Sequence, residues 1–387
     1  MNIEVLDSIE KIKIQDWQKL TSHSSLFSKY QFFQCLESSC SVSAKQGWQP
    51  HHLQFYRQEH QQKSSAPEAI LPAYIKSHSW GEYVFDWAWA DAFQQHNVPY
   101  YPKLVTTVPF TPVTGDKLLS QSLTIKELFP YLSEHCQQSE LNSWHLLYCQ
   151  TEQREQMSLT HNAENVYQRN TVQFHWLNYQ YRDFDDFLSR FTARKRKNTK
   201  KERQSIAQQG IKTRRVTGKD ISEKELAFFY LTYQLTYMKR GHTPHLTLSF
   251  FQTIIQQMPE NILLIIASNG VEDIACAWFF HDNDSLYGRY WGCTQPYNNL
   301  HFELCYYQGI EFCIENNLTL FHPGTQGEHK IQRGFEPKLT TSYHWIKYPA
   351  FRPAIKAFCL QEQQQMQHYM NQCRQKLPFK FNNTNEQ

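Results

Sequence analysis

Alternation of apolar and polar residues with a period of two, interrupted by polar turns, predicts two successive groups of strands along the chain. In the first half, the pattern predicts a three-stranded meander over residues 51–58, 68–76 and 82–89. In the second half, residues 262–293 repeat the pattern, and Asn269-Gly270 is typical of a tight turn between two strands. Each meander precedes a helical pattern and one further strand, so we expect an internal duplication.

Apolar residues spaced at intervals of three and four predict helices around these strands. The predicted helices cover residues 7–21, 27–40, 89–97, 123–139, 184–210, 222–239, 299–317 and 351–376. Further strands are predicted at 103–110, 143–150, 171–179, 211–216, 318–323 and 341–348, and residues 324–337 are predicted to form a glycine-rich loop. The repetition predicts a boundary near 165–172, with domains at 1–170 and 171–376 and a frayed tail at 377–387.

Length and composition agree with two folded domains. The chain has 387 residues, of which 40% are hydrophobic and 15% are aromatic, so it can fill two cores and does not have the composition of a disordered chain. A net charge of +3 is too small to identify nucleic acid as the partner. The ten cysteines contain no C-x-x-C pair, and we interpret them as buried thiols in a reducing compartment rather than as a zinc site.

The amino-terminal segment and the overall hydropathy bear on location. Residues 1–13 lack a basic region followed by an apolar run, so they do not have the features of a secretory signal peptide. No run approaches 18 apolar residues, so no transmembrane segment is predicted. We therefore expect a cytoplasmic protein.

Several motifs together resemble one protein family. They are FDWAWADAF (85–93), YYPKL (100–104), VPFTPVTG (108–115), YGRYWGC (287–293), HFELCYYQGIE (301–311) and GTQGEHKIQRGF (324–335). In combination they resemble the FemAB-like proteins of the GNAT acyltransferase superfamily, a branch described as peptidoglycan biosynthesis or recognition proteins, and the resemblance covers residues 50–355. It implies an α/β (α+β) fold of two tandem GNAT-like domains, each a mixed, mostly antiparallel sheet flanked by helices.

The resemblance also implies a type of reaction. Proteins of this superfamily transfer an acyl group from acyl-coenzyme A, or an amino acid from aminoacyl-tRNA, to the amine of a small molecule or peptide, including cell-envelope precursors. The chain departs from the usual coenzyme A loop, because the segment from Cys293 to Gln308 contains no glycine. Backbone amides cradle a pyrophosphate only where the chain comes close to it, so this departure argues against coenzyme A binding through that loop.

The loop at 322–335 carries side chains suited to acyl transfer, which needs a proton acceptor and donors for the developing oxyanion. Glu328 or His329 is a candidate base, and Lys330 is a candidate donor to an oxyanion or phosphate. Further candidates in the second half are Gln326, Arg333, Arg289 and Tyr290 for binding substrate, and Glu303 as a base at the start of the helix 299–317. The alternatives are a charged surface loop and, for Glu303, an acid favoured by the helix dipole.

A second group of candidates lies in the first half, where tryptophans alternate with acids. Asp86, Trp87, Trp89 and Asp91, followed by Lys103, suit the binding of a sugar or peptide acceptor. The alternative is that these tryptophans form a buried seam and that Asp91 is a structural acid.

Residues 190–203 form a strongly basic segment, and residues 194–215 resemble the basic helix, glycine and strand that open the second Fem domain. Arg194, Lys195, Arg196 and Lys197 are its candidate phosphate-binding residues. The alternative is a solvated helix face. No metal site is predicted, since His242-x-x-His245 has no third ligand nearby.

Three functional hypotheses therefore remain open at this point. The first is an acyl- or aminoacyltransferase acting on an amine. The second is a binding module that keeps the fold without catalysis, and the third is an RNA-binding protein that uses the basic helix at 190–203 and binds tRNA.

Overall fold

The computed structural model describes residues 1–21, 25–57, 66–150, 155, 157, 165–325 and 327–380. The chain forms two compact units. The first comprises Met1–Thr171, His245–Phe250 and Leu339–Gln367, and the second comprises Val172–Pro244, Phe251–Lys338 and His368–Gln387. The predicted range 171–376 therefore includes two segments, 245–250 and 339–367, that belong to the first unit.

The helices lie between and after the strands. They are α1 (Ile14–Leu20), α2 (Tyr30–Ser38), α3 (Trp87–Gln95), α4 (Ile125–Gln138), α5 (Phe184–Ser189), α6 (Ala193–Gln208), α7 (Glu223–Met238), α8 (Leu248–Gln257), α9 (Leu300–Phe302), α10 (Gln308–Glu315) and α11 (Arg352–Gln375). A π-helical segment, Glu303–Tyr307, joins α9 to α10. Capping boxes begin two of the helices, Thr124 with Glu127 at α4 and Ser222 with Glu225 at α7.

The strands are β1 (Asn2–Leu6), β2 (Trp48–Pro50), β3 (His52–Tyr56), β4 (Ala69–Leu71), β5 (Tyr74–Lys76), β6 (Lys103–Thr106), β7 (Leu119–Ser120), β8 (Ser143–Leu146), β9 (Val166–Leu177), β10 (Lys212–Thr217), β11 (Ile262–Ser268), β12 (Asp273–His281), β13 (Ser285–Cys293), β14 (Leu320–His322) and β15 (Glu336–Ile346).

The first unit contains two sheets. Strands β1, β3, β4 and β7 form a small antiparallel sheet in the order β1-β3-β4-β7. The strand order in the second sheet is β15-β8-β6-β5-β2. Its strands pair antiparallel except for the parallel pair β6–β8. The core between sheet and helix α4 is built from side chains such as Leu104, Phe129 and Trp144.

The sheet of the second unit has the order β10-β11-β12-β13-β14-β9. Its strands are antiparallel except for the parallel pair β13–β14. Helices α9 and α10 with the π segment connect these two parallel strands, and α4 connects the parallel pair β6–β8 of the first unit in the same way. The predicted plan of a meander, a helix and a further strand is therefore present in each unit.

Several local predictions differ from the structure. Residues 82–89 are not a strand, because Gly81 and Tyr83 have left-handed φ angles of 83° and 60° and α3 begins at Trp87. The third strand of that meander is β6 instead. The helix predicted over 184–210 is two helices, since buried Phe191 lies between α5 and α6 and forms an isolated bridge with Phe379.

Among the described residues, four strands and α-helices have no counterpart in the prediction, and one predicted loop has a different conformation. Strands β1, β2 and β7 and helix α8 are present where no element is predicted. The glycine-rich loop contains a 3-10 helix at Glu328–Arg333. Within the described residues, no helix is both long enough and apolar enough to cross a membrane.

Glycine 292 on β13 allows helix α7 to pack closely on the sheet. A Cβ at Gly292 would lie 2.1 Å from the carbonyl oxygen of Thr232 in α7. We expect Gly292→Ala to lower the free energy of unfolding by about 1–3 kcal/mol, because the helix must move away from the strand. Urea denaturation measures this loss.

Gly288→Ala on the same strand is the matched control. A Cβ at Gly288 would meet Phe279 at 3.4 Å, which is ordinary van der Waals contact, so we expect a change below about 1 kcal/mol. An equal loss for both variants would show that close packing of α7 at Gly292 is not the constraint.

Candidate functional site

The end of the pairing between two parallel strands defines the candidate site of the second unit. Strands β13 and β14 pair over three register positions only, the last being Tyr287 with His322. Beyond this position β13 continues to Cys293 against β12, whereas β14 ends and the chain turns at Pro323-Gly324. Side chains after the end of the pairing therefore lie at the carboxyl ends of the two strands, outside the paired part of the sheet.

The segment after β14 is fixed by two glycines and two buried apolar residues. Gly327 and Gly334 have φ angles of 115° and 84°, so each bounds the 3-10 helix with a conformation that favours glycine. A Cβ at Gly327 would lie 2.3 Å from the ring of His329. Ile331 and Phe335 pack in the core of the unit. The predicted glycine-rich loop is thus a rigid support for the charged side chains that it carries.

Lys330 is the most unusual of these side chains. It is only 2% exposed, and its amine donates a hydrogen bond to the carbonyl oxygen of Gly324 at 2.7 Å. No ion pair with a carboxylate is found for it among the described residues. Burial without a compensating charge lowers the pKa of Lys330 to about 7. The amine is therefore present in both protonation states near neutral pH.

His329 and Tyr306 form a hydrogen-bonded pair beside Lys330. The His329 Nε2 and the Tyr306 hydroxyl are 2.7 Å apart, and the His301 ring lies 5.9 Å from that of His329. Burial, together with the charges of Lys330 and Arg333, lowers the pKa of His329 below its ordinary value. Burial raises the pKa of Tyr306. A neutral imidazole and a protonated phenol are therefore in contact at neutral pH.

Arg333 is committed to contacts within the protein. Its guanidinium donates to both carboxylate oxygens of Glu202 at 2.9 and 2.8 Å, and to the carbonyl oxygen of His329 at 2.7 Å. The same group lies 3.3 Å from the centroid of the Phe302 ring. These contacts make Arg333 a positioning group for the segment that carries His329, whereas its predicted role in binding substrate stays a prediction.

The two predicted carboxylate bases have different surroundings. Glu303 is buried and accepts hydrogen bonds from Arg203 at 3.1 and 2.9 Å and from Gln308 at 2.9 Å. Glu328 is exposed and accepts from the Tyr369 hydroxyl at 2.9 Å. The catalytic roles of both carboxylates stay predictions, and the hydrogen bonds to Glu303 come from side chains of the same unit.

The helix that faces the loop contains the π segment. Its residues include Cys305 and Tyr306, and π-helical turns inside α-helices are frequent at functional sites. Burial raises the pKa of the Cys305 thiol well above its ordinary value. Cys305 is therefore a thiol rather than a thiolate.

The segment that leads into α9 is held by α6. Asn299 has a φ of 63°, a left-handed conformation that glycine adopts more often than other residues. Its side-chain amide donates a hydrogen bond to the Ser205 hydroxyl at 2.9 Å. Gln209 donates to the carbonyl oxygen of Asn298 at 3.2 Å. These contacts occupy the side of this turn that packs on α6.

Strand β13 carries the other two predicted residues of the second unit. Arg289 and Tyr290 are half-buried and follow the last β13–β14 pair. The positive charge of Arg289, after burial, helps to lower the pKa of His322 to about 3. The His322 Nδ1 is 3.0 Å from the His175 Nε2, so two neutral histidines are in contact at the end of the β13–β14 pairing. Gln326, also predicted to bind substrate, lies outside the described residues.

The predicted phosphate-binding residues lie at the start of α6. Arg194 and Lys197 are exposed, and Arg196 is half-buried. Lys195 donates a hydrogen bond to the side chain of Gln332 in the 3-10 helix. The basic helix and the segment with Lys330 are therefore in contact with each other.

In the first unit, the predicted residues Asp86 and Lys103 belong to a buried charge network. The Lys103 amine is fully buried and donates to Ser79 at 2.8 Å, to Glu82 at 2.9 Å and to Asp86 at 2.5 Å. Although burial opposes it, the charges of the two acids raise the pKa of Lys103. His145 completes a group of possible metal-ligating atoms with the two acids, and the Lys103 ammonium already donates hydrogen bonds to both carboxylates of this group.

The remaining predicted residues of the first unit do not share one environment. Trp89 is buried, and its ring lies 5.2 Å from that of His344. Trp87 is half-buried against Trp80, and Asp91 is exposed. The predicted group thus divides into a buried part and a surface part.

The sequence interpretation did not assign roles to Tyr306, His175, His322 or Glu202. Tyr306 belongs to the apolar pattern of its helix, and that pattern does not show the π turn that brings Tyr306 to His329. The histidines lie on different strands, and their contact depends on the sheet order.

Comparisons with known proteins agree with this architecture. The profile of a family called FemAB-like, described as peptidoglycan biosynthesis/recognition, matches residues 8–381. Comparison with the curated protein sequences finds no match.

Solved structures share the fold at low sequence identity. A conserved protein of unknown function from Bacteroides thetaiotaomicron is 9% identical, covers 89% of this chain and 100% of its own, and has a TM-score of 0.52. A structure of FemX is 10% identical over 92% of this chain and 100% of its own, with a TM-score of 0.51. The C-terminal domain of a putative lysylphosphatidylglycerol synthetase from Agrobacterium fabrum is 7% identical over 90% and 95%, with a TM-score of 0.50.

The fold class predicted from the sequence is confirmed. Each unit contains a mixed, mostly antiparallel sheet flanked by helices, and the likeness to FemX covers both units. At these identities the likenesses concern the fold alone, so the chemistry of the site has to be argued from its own residues.

Burial of the Lys330 amine costs stability, which gives a measurable dependence on pH. We expect Lys330→Met to raise the free energy of unfolding at pH 7 by roughly 2–4 kcal/mol, because an apolar side chain needs no hydration in that position. Between the native pKa of about 7 and the unfolded value of 10.5, only the unfolded state binds the proton, so stability of the wild type rises with pH. The difference between variant and wild type should therefore shrink over that range.

Urea denaturation of both proteins between pH 6 and pH 10 measures this difference. Lys219→Met, at an exposed lysine of the same unit, is the control and should show no such trend. A Lys330→Met variant that is less stable than the wild type at every pH would contradict the assigned environment of the amine.

Proposed function

Because the chain belongs to the FemAB-like family, we propose that its second unit transfers an acyl or aminoacyl group from an activated donor to an amine. The acceptor that this family membership favours is a cell-envelope precursor that carries a free amine. The observation that carries the proposal is the Lys330 amine, which is buried beside the His329–Tyr306 pair at the end of the β13–β14 pairing.

Lys330 supplies the positive charge for the reaction. When an amine attacks the acyl carbon, a C–N bond forms and the carbonyl oxygen becomes an oxyanion. A protonated amine held in a rigid, dry position stabilises this charge more strongly than it stabilises the neutral carbonyl, so it lowers the barrier. The Gly324 carbonyl oxygen fixes the amine by one hydrogen bond at 2.7 Å and leaves two N–H groups for the oxyanion.

His329 and Tyr306 account for the protons. In the tautomer in which Nε2 donates to the Tyr306 oxygen, Nδ1 of His329 is left to accept the proton of the attacking amine. The C–O or C–S bond to the donor then breaks, and the leaving atom takes the Tyr306 hydroxyl proton. Tyr306 regains a proton from Nε2 of His329, so the sum is an amide and a protonated leaving group.

The donor is proposed to be aminoacyl-tRNA rather than acyl-coenzyme A. The turn before α9 has no glycine and is held by Ser205 and Gln209 of α6, which disfavours a pyrophosphate at this place. Instead, the basic start of α6 contacts the segment that carries Lys330 through Lys195 and Gln332. Exposed cations in that position suit the phosphates of a polynucleotide.

Loss of Lys330 or His329 should remove transfer without unfolding the protein. We expect Lys330→Met to lower kcat/KM by about 10²–10³-fold and His329→Ala by about 10²–10⁴-fold, from the usual effects of an oxyanion donor and a general base. Transfer of a labelled acyl group from aminoacyl-tRNA and from acetyl-coenzyme A to a muropeptide precursor measures both. Lys219→Met should keep full activity, and a Lys330→Met variant that also keeps it would contradict the assignment.

The pH dependence separates charge from packing at this position. Lys330 is protonated below its pKa of about 7 and loses its charge as the pH rises through that value, whereas an arginine stays charged. The rate of the wild type divided by that of Lys330→Arg should therefore fall between pH 6 and pH 8. The ratio cancels the ionisation of the acceptor amine, and a ratio independent of pH would show that the lysine charge is not used.

RNA binding through α6 is the second candidate, because Arg194, Lys197 and Lys201 are exposed on one helix. Changing all three to glutamine should reduce the slope of log K for tRNA against log salt by about 2–3. The control changes three exposed lysines elsewhere in the unit, Lys212, Lys219 and Lys224. Equal slopes for both triple variants would rule out α6 as the binding face.

The enzyme, the RNA-binding protein and the binding module without catalysis predict different results in the binding and transfer assays. Binding of tRNA with transfer supports the enzyme, and binding of tRNA with no acyl product under any condition supports an RNA-binding protein. Binding of the muropeptide precursor alone, with no tRNA binding and no product, is the signature of a binding module without catalysis.

A further inference from the structure

An exposed group of aromatic rings lies in the first unit, apart from the residues of the proposed transfer reaction. Trp80 and Phe85 are 47% and 52% exposed, and Trp87 is half-buried at the first position of α3. The centroids of the Trp80 and Trp87 rings are 5.0 Å apart, and the rings are inclined by 57°. Single exposed apolar residues are normal, but three rings within eight residues are a candidate binding surface. We call these three residues the aromatic patch.

The segment that carries the patch is fixed from the protein interior. The fully buried Lys103 amine donates hydrogen bonds to three side chains of this segment, Ser79, Glu82 and Asp86. These acceptors alternate in sequence with the residues of the patch, so anchoring side chains point inward where the rings lie outward.

The backbone of the same segment is held as well. The Lys76 amine donates to the carbonyl oxygen of Trp80 at 3.1 Å, and Arg169 donates to that of Phe85 at 2.9 Å. Both side chains are buried, burial lowers the pKa of Lys76 to about 6, and Arg169 is paired with Glu362. Two buried side chains therefore hold the backbone at Trp80 and Phe85, which makes the rings a preorganised surface.

The backbone conformation adds an independent sign of function. Tyr83 has a φ of 60°, which is rare for an aromatic residue, and Gly81 has a φ of 83°. A Cβ at Gly81 would lie 2.6 Å from the Phe110 ring. Residues held in such conformations cluster at binding sites, because surrounding contacts must overdetermine them.

An exposed carboxylate lies next to the rings. Asp91 is four residues after Trp87 in α3, so the two side chains are on the same face of the helix, and Asp91 is exposed. The C–H face of a pyranose ring packs on aromatic rings, and its hydroxyls donate to a carboxylate. A negative charge beside the patch disfavours an anionic membrane surface.

We propose that the aromatic patch together with Asp91 is a binding site for a neutral saccharide. The pyranose rings pack on Trp80 and Trp87, and Asp91 accepts hydrogen bonds from their hydroxyls. This site goes beyond the proposed transfer reaction, since it needs neither Lys330 nor a donor and is present whether or not the second unit is catalytic.

Isothermal titration of the full chain with tri-N-acetylchitotriose, cellotriose and maltotriose tests the site. We expect at least one of them to bind, and we expect Trp80→Ala and Trp87→Ala to weaken it by tenfold or more. Asp91→Asn should weaken it several-fold without a change in stability. Leu360→Ala, at a residue that is 49% exposed in the same unit, is the control and should bind as the wild type does.

A Lys103→Met variant distinguishes a fixed surface from a loose one. It keeps all three rings but removes the contacts to Ser79, Glu82 and Asp86, so saccharide binding should weaken although the rings are intact. If this variant fails to fold, the tryptophan variants alone decide the outcome.

Other outcomes would overturn the proposal. They are absence of binding for all three saccharides at millimolar concentration, and binding that is unchanged in both tryptophan variants. Co-sedimentation with vesicles of phosphatidylcholine, lost in Trp80→Ala and Trp87→Ala and without saccharide binding, would show that the patch contacts membranes instead.

Discussion

The short parallel pairing of β13 with β14 is the constraint on which the site of the second unit depends. After Tyr287 and His322 the strands share no further register pairs, and the chain leaves β14 through Pro323-Gly324. A longer pairing would place strand backbone where the 3-10 helix now begins. Because the helix from 300 to 315 connects these two strands, the same geometry brings Tyr306 to His329. Sheet topology thus determines which side chains meet, and the glycines around the 3-10 helix determine how closely.

Two buried lysines show how environment separates chemistry from structure. Lys103 is surrounded by acceptors, two of them carboxylates, so its ammonium is stabilised and its pKa rises. Lys330 has one carbonyl acceptor among its described contacts, and its pKa falls to about 7. The same side chain is therefore a permanent internal cation in one unit and a titratable group in the other. This difference is the physical reason for assigning structure to the first and reactivity to the second.

Much of the fold follows from patterns that are local in sequence. The hairpin β11–β12 around Asn269-Gly270 and helices α4 and α7 lie where the local sequence pattern predicts them. Residues 82–89 alternate like a strand, but their acids turn toward Lys103, a contact across seventeen residues or more that the pattern does not contain. The loop with Lys330 was recognisable from its glycines and charges. Its partner Tyr306, and the commitment of Glu303 to Arg203, depend on tertiary contacts and a π turn that no local pattern reveals.

The division of the chain between the units has a consequence for synthesis. The first unit includes Leu339–Gln367, and β15 within that region pairs with β8 from residue 343 to residue 346. A ribosome adds about 5–20 residues per second and releases the chain from its amino terminus. Strand β8 is made before the second unit, yet residues 343–346 of its partner β15 are made only after Val172–Pro244 and Phe251–Lys338 of the second unit. Until then the edge of β8 has unpaired backbone groups, and the nascent protein has to avoid wrong partners at that edge.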